Sequence, residues 1–243
     1  MQKRGLPQEG LKLIACIAML LDHAGAIVVL NCFYATTGMN KEVLGNIYEI
    51  LRAVGRLAFP IYCFLLVEGA IHTHNTKRYG LRLLIAAVLS EIPFDLALFG
   101  SFTWQHQSVM ATLLLGFLML QAMKKCPSLP AQLLLILAFA WLAQWMNTDY
   151  GAKGIFTVAL FALTRELSHR GIWQFFGLWC IFSPRHLMML NWVDGFAVTT
   201  QELAVFAALP IMRYDGRKVT KSKAVQWAFY LFYPVHLLLL YLL

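Results

Sequence analysis

Charge is scarce in this chain. Only 13% of its 243 residues are charged, with 12 acidic side chains against 20 basic ones. An ordinary soluble domain carries about 25%, so a charged, water-facing surface is excluded over most of the molecule. Cysteine builds no framework either. Cys16, Cys32, Cys63, Cys126 and Cys180 are odd in number and scattered mostly through apolar segments, which suits small buried hydrophobes rather than disulfides or a metal site. There is no Gly-rich phosphate loop, no Cys/His metal spacing and no nucleophile elbow. No metal is expected, and any chemistry must use groups embedded in the bulk of the chain. No repeat, low-complexity tract or linker divides it, so residues 1–243 read as a single domain.

What the chain has is apolar length. Hydrophobic residues make up 60% of it and its mean hydropathy is +0.64. Apolar runs that cross, or nearly cross, roughly 30 Å of hydrocarbon occupy residues 11–30, 57–71, 81–99, 109–123, 133–146, 155–163, 172–181, 199–212 and 224–243. The reading is an all-α, polytopic membrane bundle of about nine transmembrane helices. The short sixth and seventh runs are extended by residues 152–154 and 182–190. A cytoplasmic N-terminus assigns most basic residues to the inner side, and leaves only Lys41, Arg52, Arg56, Lys153 and Arg185 for the outer half. The net charge of +8 is then a topology signal in a lipid bilayer, and no nucleic-acid partner is expected. Lys3 and Arg4 before an apolar run resemble the start of a signal peptide. Asp22-His23 interrupts that run and no small-x-small exit follows, so the first helix is read as retained.

Asp22 and His23 are the first place to look for function. A charged side chain at the centre of a spanning helix costs about 2.5–3.5 kcal/mol, while each Leu or Ile offsets only about 0.3–0.6. His23 follows Lys12 by eleven residues, ~16 Å and about three turns of helix, so the two share a face and His23 reaches mid-bilayer. An imidazole beside a carboxylate suits general-base work, and for His23 that reading is preferred to a plain interhelical hydrogen bond. Asp22 serves either the ring or a neighbouring helix. Arg52 and Arg56 open the second run and Glu68 and His72 close it. Arg56 and Glu68 are ~18 Å apart, so each needs a partner on another helix. Both suit a site role or a structural ion pair equally. Arg52 is expected to snorkel to the outer interface, and Pro60 to kink the span near its middle. Glu91 and Asp95, one turn apart around Pro93, are expected to neutralise Arg56 or, alternatively, to line a polar cavity. The inner segment from His72 through Lys77, Arg78 and Tyr79 to Arg82 is basic and aromatic. It suits an anionic nucleotide, or is an ordinary positive-inside loop. His236, in the last run, is read as a hydrogen-bond anchor in preference to a second site residue.

Several ordered motifs carry a resemblance. They are Leu11-Lys12-Leu13-Ile14-Ala15 with Met19-Leu20-Leu21-Asp22-His23, Gly55-Arg56-Leu57-Ala58-Phe59-Pro60-Ile61 with Glu68-Gly69, and His72-Thr73-His74-Asn75 with Lys77-Arg78-Tyr79 and Arg82-Leu83. Ser90-Glu91-Ile92-Pro93-Phe94-Asp95, Asp149-Tyr150-Gly151 and Tyr233-Pro234-Val235-His236-Leu237-Leu238 continue the set. Over essentially its full length the chain resembles the TraX family. That resemblance implies a multi-pass acetyltransferase of the bacterial inner membrane, associated with N-terminal acetylation of conjugative pilin. A weaker similarity extends to the membrane acyltransferases that acetylate envelope sugars. In that group a basic residue precedes an essential histidine by eleven positions, as Lys12 precedes His23, and an Arg-x-x-x-Arg element corresponds to Arg78 and Arg82.

Acetyl-CoA is the implied co-substrate, its phosphates held by Arg78, Arg82 and Lys77 with Tyr79 and His72 beside them. His23 is the implied base, balanced by Asp22; Arg56 steadies the oxyanion and Glu68 completes the embedded set. The acceptor is a pilin N-terminus, an envelope sugar or a small secreted molecule. The competing reading is a proton-coupled transporter in which Asp22, His23, Glu68 and Glu91 form a relay. A third is an assembly factor that has kept the fold without the activity.

Overall fold

A computed structural model of the chain describes residues 5–183, 199–220 and 222–243. Among them every regular element is helical. The first is α1 (Gln8–Ala24), which runs through a π-helical turn (Gly25–Val29) into α2 (Leu30–Ala35). After a link at Gly38, whose φ of 76° suits glycine, α3 (Met39–Gly55) returns antiparallel to α1. Then follow α4 (Ala58–His72), α5 (Thr76–Phe99), α6 (Val109–Met123), α7 (Leu129–Trp145), α8 (Gly151–Leu163) and α9 (Arg170–Phe182). A broken stretch comprises α10 (Thr199–Glu202), a 3₁₀ turn (Leu203–Ala207) and α11 (Ala208–Met212), and α12 (Lys223–Tyr241) ends the chain.

Three stretches among the described residues are long and apolar enough to cross a membrane: Gln8–Ala35, Met39–His72 and Ala224–Tyr241. Val109–Met123, Leu129–Trp145, Gly151–Leu163 and Leu203–Met212 are apolar but shorter. The outer faces carry Leu13, Ile17, Val88, Ile92, Leu134 and Trp141, all more than half exposed. Side chains of that kind at that density are stable against acyl chains rather than water. The molecule is a helical membrane bundle.

Helix α4 is apolar around its whole circumference apart from Glu68 and His72 in its last two turns, and is buried against α1, α6 and α8, as a helix without a polar face must be. The last helix closes the bundle by lying along α5 and touching α1. Three sequence expectations change here. The second crossing begins at residue 39, not 57, because Lys41, Glu42, Glu49 and Arg52 disguise α3 as a loop; the apolar residues Val43, Ile47, Ile50 and Val54, spaced one helical turn apart, are exposed along its outer face. Pro60 does not kink the middle of a helix. The break falls at Arg56–Leu57, and Pro60 sits in the first turn of α4, where a missing N–H leaves no carbonyl unpaired. The run at 199–212 is also fragmented rather than a continuous helix. The extension proposed beyond residue 183, and Lys3, Arg4, Arg185 and Lys221, lie outside the described residues.

The α1–α3 contact positions the site. The Asp22 carboxylate accepts from Arg52 Nη1 at 2.7 Å and from Arg56 Nη2 at 2.6 Å, and Arg56 Nε donates to the Arg52 carbonyl at 3.1 Å. A Cβ on Gly55 would collide with the Asp22 side chain, and one on Gly25 would press Leu51 at 3.1 Å, so two glycines permit this approach. Arg52 therefore does not snorkel to an interface; it turns inward because Asp22 offers it an ion pair one turn from Arg56. Nor do Glu91 and Asp95 neutralise Arg56. Glu91 accepts the amide of Ser108 at 3.2 Å, and Asp95 that of Thr103 at 3.0 Å. Both amides lie in the α5–α6 loop, and that of Ser108 caps the start of α6, where a helix N-terminus needs acceptors.

Asp22→Asn leaves two guanidinium groups, one of them buried, without a counter-charge. The expected cost is about 3 kcal/mol, measured as a lower denaturation midpoint in detergent, with Leu13→Ala on the lipid face as a near-neutral control.

Candidate functional site

A cavity of about 570 Å³ runs within the bundle. At one end its wall contains Lys12, His72, His74, Arg82 and Lys218. Tyr62, Tyr79 and Tyr230 line its middle, and Asp22, His23, Arg52, Arg56, Asp149 and Tyr150 line the far part. Lys12 and His23 both face it, so the helical spacing of eleven does place them on one side of α1. A passage thus joins a cationic mouth to an embedded imidazole. Gly69 keeps the waist tight: a Cβ there would lie 2.6 Å from the Tyr79 hydroxyl.

His23 does not pair with Asp22, whose carboxylate is taken by the two arginines. Its Nδ1 instead lies 2.6 Å from Nε2 of His236, on α12, and the two rings are nearly parallel with centroids 4.9 Å apart. Nδ1 of His236 lies 2.6 Å from the carbonyl of Phe232. The π-helical turn begins two residues after His23; such turns concentrate at functional sites.

Of the residues expected to hold a coenzyme, His72, Tyr79 and Arg82 line the cavity, and Lys77 and Arg78 do not. On α5 the wall is made by Tyr79, Arg82 and Leu83; Lys77 lies on the opposite face, and Arg78, at the flank of the wall one turn before Arg82, is exposed in the first turn of the helix. The Arg78 amide is occupied at 2.9 Å by the Asn75 side chain capping the helix. Glu68 is likewise absent from the cavity wall. It is buried beside Arg165 Nε at 3.1 Å and His72 Nε2 at 3.4 Å, which gives it an ion-pair partner beyond its own helix and separates it from His23.

Other wall residues were not assigned to a site from the sequence, although Asp149, Tyr150 and Tyr233 belong to motifs that carry the family resemblance. Gln226, Phe229, Tyr230 and Tyr233 form a stripe along α12 at helical spacing, a signal that was present as polar and aromatic residues recurring every three or four positions. Asp149 and Tyr150 enter from the turn between α7 and α8. Tyr150 takes φ 65°, a left-handed conformation costing a bulky residue about 1–2 kcal/mol, and its ring stacks on Phe59 at 3.7 Å. The turn is pinned by the Asp149 amide on the Gln107 carbonyl at 2.8 Å and by the Thr112 hydroxyl on the Asp149 carbonyl. No local pattern announces such a turn.

The mouth is framed by a clasp between the N-terminal segment and the loop that precedes α12. Leu6 N–H donates to the Arg213 carbonyl at 2.6 Å, Asp215 N–H to the Leu6 carbonyl at 3.1 Å and Gln8 N–H to the Arg217 carbonyl at 2.8 Å. Arg217 Nε donates to Asp215 at 2.6 Å, and Lys218 follows at the cavity edge.

The fold and site define a helical membrane protein with an internal cavity, lined by apolar, aromatic and charged side chains, that contains an embedded histidine. A family model described as "TraX protein" matches residues 7–243. A curated relative, "Probable fimbrial assembly protein FimC, serogroup H1" from Dichelobacter nodosus, is 32% identical over 246 residues, which cover 95% of this chain and 92% of the relative. No solved structure matches. The chain belongs to the TraX family.

The Arg217 guanidinium holds the exposed Asp215 carboxyl below its usual 3.8. Because that shift is downward, the clasp keeps its full contribution above the ordinary value and loses it as pH falls through the lowered one. Hydrogen exchange at the Leu6 and Gln8 amides, corrected for intrinsic rate, should be constant from neutral pH to about pH 5 and accelerate below about pH 3.8, ahead of α4.

Proposed function

We propose that this protein is an acetyltransferase of the bacterial cytoplasmic membrane, with its N-terminus and cationic mouth inside the cell. In this reading acetyl-CoA enters at the mouth, its phosphates held by Arg82, Lys12 and Lys218. The pantetheine arm then lies along the aromatic waist and presents the thioester near His23. The carrying observation is one cavity that contains both the basic cluster and His23, ~16 Å apart along α1.

The chemistry needs no other cofactor. An acceptor amine or hydroxyl attacks the acetyl carbonyl, forming the new N–C or O–C bond and displacing the thiolate by cleavage of C–S. His23 takes the acceptor's proton and returns it to the thiolate, so the products are acetylated acceptor and free CoA. Arg56 supplies charge for the oxyanion; its Nε and Nη2 are engaged by Arg52 and Asp22, while Nη1 has no hydrogen bond among the described residues. The fimbrial assembly name of the relative supports a pilin N-terminal amine as acceptor. An envelope sugar hydroxyl or a small secreted molecule would use the same steps.

Calorimetry in detergent should show acetyl-CoA binding that weakens about tenfold in Arg82→Gln and again in Lys218→Gln. His23→Ala should bind acetyl-CoA as the wild type does and transfer nothing. Unchanged transfer by His23→Ala defeats the reading, and absence of acetyl-CoA binding turns it toward a proton-coupled carrier.

A further inference from the structure

The pairing of His23 with His236 has a direction, and the direction follows from the last contact of the chain of hydrogen bonds. A backbone carbonyl can only accept, so the 2.6 Å contact from His236 Nδ1 to the Phe232 oxygen requires a proton on that Nδ1. In neutral His236 the other nitrogen, Nε2, is then a bare acceptor. Nε2 lies 2.6 Å from His23 Nδ1, and a contact that short needs a proton between the two nitrogens rather than two lone pairs or two N–H groups facing each other. His23 Nδ1 must therefore be the donor. Neutral His23 is left with an unprotonated Nε2, which has no hydrogen-bond partner among the described residues, on a ring that lines the cavity.

We propose that His236 is a positioning residue that fixes the tautomer and orientation of His23, so that Nε2 of His23 is the basic atom presented to the cavity. The role as base rests on the acetyl-transfer reading; the tautomer does not. His236 is suited to the task because it cannot turn. It is buried, its ring lies nearly parallel to Phe232 at 4.8 Å, and Tyr233 meets both histidines edge-on, at 5.9 Å from His23 and 5.8 Å from His236. Phe232, Tyr233 and His236 stand three and four residues apart on α12, so one helix supplies the acceptor nitrogen, its carbonyl anchor and the walls. When Nε2 of His23 takes a proton, Nδ1–H still faces an acceptor, and the imidazolium is stabilised without reorganising the site. A carboxylate commonly does this in soluble enzymes. Here Asp22 is occupied by Arg52 and Arg56, and a neutral imidazole anchored to a carbonyl stands in its place.

The tautomer is read directly by two-bond ¹⁵N–¹H correlation spectra of histidine-labelled wild-type protein in detergent, with His23 assigned by its disappearance in His23→Gln. The expected spectrum has His23 protonated on Nδ1 and bare on Nε2. The opposite tautomer overturns the proposal, and this arm needs neither acceptor nor turnover. In the transfer assay His236→Ala should lower kcat at least about tenfold with KM for acetyl-CoA within about twofold. His236→Gln, whose side-chain oxygen reaches the position of Nε2, should recover most of the loss. Full kcat in His236→Ala overturns the positioning role. A wild-type protein that transfers no acetyl group refutes the acetyl-transfer reading instead, while the spectrum still decides the tautomer.

Discussion

One carboxylate held between two guanidinium groups organises the upper half of this bundle. Asp22 must have a counter-charge at the depth it occupies, and it draws Arg52 and Arg56 inward from α3. Glycine at positions 25 and 55 lets the helices approach closely enough for that. The ion pairs in turn settle what His23 can do. With Asp22 spent on the arginines, the imidazole at the next position is free to face the cavity and to pair with His236 on the last helix. Desolvated charge is expensive, and here its pairing and the shape of the site are one arrangement.

The bundle is apolar outside as well as in its core, and its polar groups collect along one internal passage. Leucine, isoleucine and tryptophan cover its outer faces, while cations, carboxylates and tyrosine hydroxyls gather round an internal passage. Other polar groups close backbone ends. Lys124 Nζ donates to the Ala70 carbonyl near the end of α4 at 2.8 Å, and Glu91 accepts the amide that precedes α6. Membrane helices leave no water to satisfy such groups, so side chains from neighbouring helices take the role. Glu91 and Asp95, which looked like counter-charges for Arg56, serve this purpose, whereas Glu68 pairs with the side chains of Arg165 and His72.

Much of the site was readable one helix at a time. Lys12 and His23 share a face because eleven residues make three turns, and the cavity contains both. Tyr79 and Arg82 both reach the wall, whereas Lys77 and Arg78, grouped with them on basic character and on the Arg-x-x-x-Arg resemblance, stay outside it. Helix α3 escaped notice because its charged residues outweighed the turn-by-turn recurrence of Val43, Ile47, Ile50 and Val54. Asp149 and Tyr150 depend on a left-handed turn fastened to Gln107, which has no local signature.

From sequence alone came the helical, lipid-facing character of the chain, most helix positions, and the shared face of Lys12 and His23, because hydropathy and helical period are local properties. Only the tertiary structure decided partners. Whether Asp22 meets His23 or Arg52, whether Glu68 faces a cavity or Arg165, and which group His236 anchors are matters of which helices become neighbours. That choice is made by packing over separations as long as the 213 residues between His23 and His236, which no spacing along the chain encodes.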